Sequence, residues 1–172
     1  MLGVPRGRVT LAAYSPDWPE EFVRERRRLA GALGGLAREI EHIGSTAVEG
    51  LVAKPLIDVV VGLHSYDQWA LSLGAMKGVG YECLGEFGIA GRQFFLRGDP
   101  TTHHVHMCEH GGRFWYQTLL FRDHIRERPE VCERYAELKR ELAAQHADNR
   151  EAYTTGKSEF IQRVLREAGW TP

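Results

Sequence analysis

The chain has 172 residues, 43% hydrophobic and 26% charged, with 22 basic and 23 acidic side chains that leave a formal charge of -1 at pH 7. Residues 1–172 therefore suit a single globular domain with a real core, and the composition excludes a disordered or fibrous chain. Balanced charge also gives no electrostatic case for binding nucleic acid or a membrane surface, so any site for a polyanion has to be local.

In chain order, Ser15-Pro16-Asp17-Trp18-Pro19-Glu20-Glu21 starts a helix, with a capping side chain, proline in the first turn and acids at the positive end of the dipole. That helix is predicted to run to about Leu33, with Phe22, Leu29, Leu33 and Leu36 on one face, until Gly34-Gly35 stops it. Strands are predicted at Ile40 to Ile43 and Leu56 to Leu63, followed by a helix from about Tyr66 to Lys77. Further strands are predicted near Tyr81 to Leu84, Arg92 to Arg97 and His103 to Cys108, separated by glycine turns. Phe114 to Glu127, Pro129 to His146 and Asn149 to Ala168 carry helical spacing. The order implies an α+β fold, a mixed sheet with flanking helices and a helical C-terminal portion. Cys83, Cys108 and Cys132 form no C-x-x-C pair, which argues against a disulfide framework and for a reducing cytoplasm. No apolar leader and no run near the roughly 18 apolar residues of a membrane span are present, so a cytoplasmic protein without membrane contact is expected.

Asp58 is the residue with chemistry to explain. It lies inside Leu56-Ile57-Asp58-Val59-Val60-Val61, a run that reads as a strand covered on both faces, where a carboxylate needs a cation, a metal ion or hydrogen-bond donors. Upstream, the Gly44-Ser45 turn can offer backbone donors to a phosphate, or can be a tight turn and nothing more. Lys54, held extended by Pro55, and Lys157, after Thr154-Thr155-Gly156, are further phosphate-binding candidates. In the strand from His103 to Cys108, alternation puts His104 and His106 on one face and His103, Val105 and Met107 on the other. Two imidazoles at i and i+2 can join Asp58 as a two-His, one-carboxylate metal set suited to a transition metal, with His42 as a fourth ligand if its strand turns that face inward. Equally, His104 and His106 can satisfy Asp58 by hydrogen bonding with no metal. One of Arg92 and Arg97 can face the same cleft. Arg122, Asp123, Arg126, Lys139 and Arg140 read as surface charges, and the tryptophans and phenylalanines, Phe87 included, as core. T-T-G-K-S is not a phosphate loop, because position 151 is Glu and no strand precedes it.

The Gly-Ser turn followed by an acid inside a strand resembles the signature of the nucleotidyltransferase fold. More closely, H-I-G-S-T-A-V-x-G-L-x-A-K-P-L-I-D-V resembles the GrpB family, and the likeness continues in T-H-H-V-H-M at Thr101 to Met107, L-x-F-R-D-H-I-R at Leu119 to Arg126 and A-Y-T-x-G-K-S-x-F-I at Ala152 to Ile161. That family also occurs as an accessory domain fused to some bacterial dephospho-CoA kinases. The resemblance implies a nucleotidyltransferase-like fold binding a nucleotide or other phosphorylated small molecule, with a divalent metal, Mg²⁺ or a transition metal, as cofactor. Gly44 and Ser45 would hold phosphate, Asp58 would ligate metal, and His104 or His106 would complete its shell or act as a base. Active enzymes of this fold use two or three carboxylates for two metals. Here the residue two positions after Asp58 is Val60, which ligates nothing, so transferase activity is in question. Two alternatives stand beside it: a non-catalytic folding-accessory domain with a protein partner, and a metal-dependent hydrolase built on Asp58, His104 and His106.

Overall fold

A computed structural model describes residues 2–171. Helix α1 (Asp17–Leu33) precedes β1 (Ala37–Ile43) and β2 (Ile57–Leu63). A short helix, α2 (Leu73–Gly78), then leads into β3 (Glu82–Cys83), β4 (Arg92–Arg97) and β5 (His103–Glu109). Four helices complete the chain: α3 (Arg113–Glu127), α4 (Pro129–Gln145), α5 (Arg150–Gly156) and α6 (Ser158–Glu167). The five strands form one sheet in the order β1-β2-β5-β4-β3, with β2 and β5 parallel and the other pairs antiparallel. This is the α+β arrangement expected, a mixed sheet with flanking helices: a Gly-Ser turn leads from β1 towards the acid-bearing β2, and the last third is helical.

Two layers cover the sheet because its strands alternate. Ile57, Val59, Val61, Val105, Met107 and Phe95 meet α1 and α2 on one face. On the other, Val60 and Cys108 pack with Ile43 beneath Trp115 of α3. Gly62 permits that close approach, since a Cβ there would come within 2.8 Å of the Trp115 ring. A separate cluster joins Val48 and Leu51 of the loop between β1 and β2 to α3, α4 and α6, so the C-terminal helices are anchored on the loop that carries the Gly-Ser turn.

Two elements depart from expectation. The segment from Tyr66 to Lys77 is a 3₁₀ stretch over Tyr66–Ser72 followed by α2, and Leu71 on it is exposed. The predicted helix from Asn149 to Ala168 is two helices, divided at Lys157. Tertiary contact accounts for the second break, because Gly156 lies so close to Leu142 that a Cβ would come within 2.6 Å of it.

Candidate functional site

Asp58 sits on β2 with its side chain 25% exposed, so it opens into a cleft and is not sealed in the core. Parallel pairing with β5 sets Asp58 level with His104, and alternation brings His106 to the same face. His104 Nδ1 lies 2.9 Å from Asp58 Oδ1, and His106 Nε2 stands 3.7 Å from the same oxygen. The tautomers follow from the outer partners. An arginine can only donate. Arg150 Nη2 is 3.3 Å from His104 Nε2 and Arg92 Nη1 is 3.1 Å from His106 Nδ1, so those nitrogens accept and the nitrogens facing Asp58 carry the hydrogens. Burial alone would raise the Asp58 carboxyl, but the donors of His104 and His106 outweigh it and hold the group well below the usual carboxylate range. Burial lowers His106 despite Asp58, consistent with a neutral ring.

Gly44 is required here. Its φ is 68°, and a Cβ would meet Asp58 Oδ2 at 2.7 Å, so only glycine lets the turn close over the carboxylate. Ser45 is half-buried next to it. Burial raises the Tyr135 hydroxyl with Tyr153 adding to the effect, while a hydrogen bond from Ser45 opposes it.

Above the acid stands a group of cations. Lys157 Nζ lies 4.5 Å from the centre of the Tyr153 ring and Lys54 Nζ 5.7 Å from it, so one aromatic ring carries both ammonium groups. Burial, then Arg150, pushes Lys54 down to about 8; burial, then Lys54, does the same to Lys157, and Asp58 opposes both shifts. Lys139, 1% exposed, donates to the Val52 carbonyl and is pushed down to about 7 by burial and then by Lys157.

The structure thus brings Gly44, Ser45, Asp58, His104 and His106 together, with Lys54 and Lys157 close enough to feel the Asp58 charge. Of the two candidate arginines, Arg92 faces the cleft, and Arg97 points to the opposite face with Glu25 at 2.5 Å. His42 does not join. Its ring stacks on Phe22 of α1 at 4.7 Å and bonds Thr46, and burial pushes it down to about 4. Among the described residues no group of three or more His, Cys, Asp and Glu is spaced to hold a metal ion.

Several residues read as surface or core prove otherwise. Arg122 reaches Glu41 at 2.7 Å and the His42 carbonyl at 2.9 Å, and Arg126 grips the Ala47 carbonyl through two nitrogens, so α3 clamps both sides of the Gly-Ser turn. Lys139 is buried, because α4 lies against the loop that presents Val52. Phe87 is 65% exposed. Arg150, Tyr135 and Tyr153 stand at the site as well, without a place among the residues the sequence points to. Tyr153 lies inside the A-Y-T-x-G-K-S stretch and was legible there, whereas Arg150 had no signal beyond its place after the Asn149 cap.

Known proteins bear on this geometry. The family model described as GrpB protein matches residues 8–167. The UPF0157 protein YqkA of Bacillus subtilis is 41% identical over 95% of the chain, which spans about half (48%) of that relative's length. The glutamate-rich protein GrpB of Alkalihalophilus pseudofirmus is 34% identical over 97% of the chain and 99% of its own. A dephospho-CoA kinase of Mycolicibacterium paratuberculosis is 26% identical over 98% of the chain and 50% of its own length. The crystal structure of GrpB from Enterococcus faecalis superposes with a TM-score of 0.86 at 35% identity, covering 92% of this chain and 96% of that one. The chain belongs to the GrpB protein family.

Proposed function

We propose that the cleft over Asp58 binds a nucleotide or another phosphorylated small molecule. The observation that supports this reading is the convergence of Lys54, Arg150 and Lys157 on one hollow that holds a single carboxylate. Like charges in a poorly hydrated space repel, and an anion relieves them. In this reading the three cations and the Gly44-Ser45 turn take phosphate oxygens, and Asp58 keeps His104 and His106 in their donor tautomers.

A divalent ion such as Mg²⁺ arriving with the phosphates would be held by the Asp58 carboxylate, and bound there it would neutralise phosphate charge. A transition metal on Asp58, His104 and His106 fits less well, since the free ring lone pairs face Arg150 and Arg92. Stoichiometric zinc, manganese, nickel or iron in the purified protein would revive the hydrolase alternative.

Val60 supports a second reading, a non-catalytic accessory domain with a protein partner. It is fully buried against Ile43, Cys108 and Trp115, where a second metal-binding acid would be covered by α3. The match to half of a dephospho-CoA kinase suits an accessory role.

Thermal unfolding in the presence of pyrophosphate and nucleoside triphosphates, with and without Mg²⁺, tests the leading reading. The Tm of the wild type is expected to rise with ligand concentration, and Lys157→Ala to lose most of the rise. If no phosphate ligand shifts the wild type while Asp58→Ala lowers its Tm, the carboxylate is structural and the ligand reading falls.

A further inference from the structure

Beside the cation group lies an aromatic series that the phosphate reading does not use. Phe94 of β4, 5.1 Å from His106 and 5.0 Å from His104, is covered by the Phe87 ring at 5.4 Å in a stacked arrangement. His106 stacks in turn on Phe114 of α3 at 5.5 Å. The Arg92 guanidinium lies over both Phe94 and Phe114. Four of these rings, Phe94, His104, His106 and Phe114, are at least partly buried. Phe87 is 65% exposed, its far face free.

The backbone holds Phe87 in that position. Among the described residues it is the one non-glycine with positive φ, 45°, a conformation L side chains rarely adopt. Arg92 Nη2 donates to the carbonyls of Phe87 and Glu86 at 3.0 and 2.7 Å. The Glu86 carboxylate accepts from the Gly91 amide at 2.8 Å and from the Tyr66 hydroxyl at 2.9 Å. The same arginine thus ties the loop to the cleft through His106 Nδ1. A large apolar ring is thus held by polar contacts on either side, packed on Phe94 and yet largely in water, where cover by a ligand would be favourable.

We propose that the open face of Phe87 stacks with the aromatic ring of the ligand, so that the cleft selects a nucleotide over a sugar phosphate or a bare polyphosphate. The inference rests on the phosphate reading of Lys54, Arg150 and Lys157 and adds the ring end of the ligand. A molecule with an aromatic ring at one end and anionic oxygens at the other matches the two halves of the cleft, stacking surface and cations, as base-stacking platforms beside basic grooves do elsewhere.

Calorimetric titration of a nucleoside triphosphate, ribose 5-phosphate and tripolyphosphate tests this with the wild type, Phe87→Gly, Phe87→Trp and Lys157→Ala. Glycine removes the ring and suits the positive φ, so the loop is not strained further. Nucleotide affinity is expected to fall roughly tenfold or more in Phe87→Gly, tripolyphosphate affinity to stay unchanged, and Phe87→Trp to retain nucleotide binding. Equal nucleotide affinity in wild type and Phe87→Gly, with Lys157→Ala still weakening all three ligands, overturns the stacking inference and leaves the phosphate reading intact. Absence of binding by all three ligands to the wild type overturns both.

Discussion

Asp58 shows what one charged side chain demands of its surroundings. Its carboxylate is stabilised by His104 and His106, each oriented by an arginine on its far side, so the acid is satisfied by a chain of donors two residues deep. Asp58→Ala leaves those imidazole hydrogens without an acceptor and is expected to cost about 1–3 kcal/mol, read from urea unfolding at pH 7. Because the folded-state pKa lies below the unfolded value of about 4, the carboxylate's contribution is complete above that pH and is lost as pH falls through the folded value. Wild type should therefore lose stability below about pH 4 more steeply than Asp58→Asn, which keeps the shape and does not titrate. Parallel acid-unfolding curves would contradict the assignment.

Packing of α3 on the sheet is the decision made at the level of elements. Alternation along β2 sends Asp58 and Val60 to the same side, yet they meet different environments: Asp58 opens to the cleft, and Val60 is sealed by Trp115. Gly62, next on that face, lets the helix come down so closely. Gly62→Ala would press a methyl against the Trp115 ring and the His110 Cβ, and overpacking of this kind costs about 1–3 kcal/mol. A drop in Tm with the Trp115 environment altered in near-ultraviolet circular dichroism is the expected result; an unchanged Tm would mean that α3 does not set the depth of the cleft. The strand of His104 and His106 was readable from its period of two, and so were the boundaries of α1 and β4. The close seat of Gly156 against Leu142 was not, because it depends on how a different helix packs.

For the molecule as a whole, the cation group ties stability to pH and to anions. Lys54 and Lys157, each pushed down to about 8, bind fewer protons folded than unfolded between roughly pH 8 and the free-lysine value of about 10.5. In that window the unfolded chain holds the extra protons, so stability rises with pH, and below it the cost of burying the charged ammonium groups, and of crowding them together, is fully present. Lys157→Met should raise the Tm at pH 7 and flatten the increase from pH 8 to 10. The Tm gain from pyrophosphate should shrink over the same range, since the lysines must be charged to hold it. A gain that stays constant to pH 10 would place the anion elsewhere.

The amino-acid sequence by itself determined the α+β order, the GrpB membership, the Gly-Ser turn and the shared face of His104 and His106, because these rest on local periodicity, glycine stereochemistry and a contiguous motif. Only the tertiary structure decided that Arg92 and Arg150 orient the two imidazoles, that His42 turns away, that Arg122, Arg126 and Lys139 brace the turn and its loop, and that Phe87 stands in water. Those outcomes depend on which helix lies over which strand, and a side chain's role is then set by partners distant in the chain, such as Arg150 and His104, 46 positions apart.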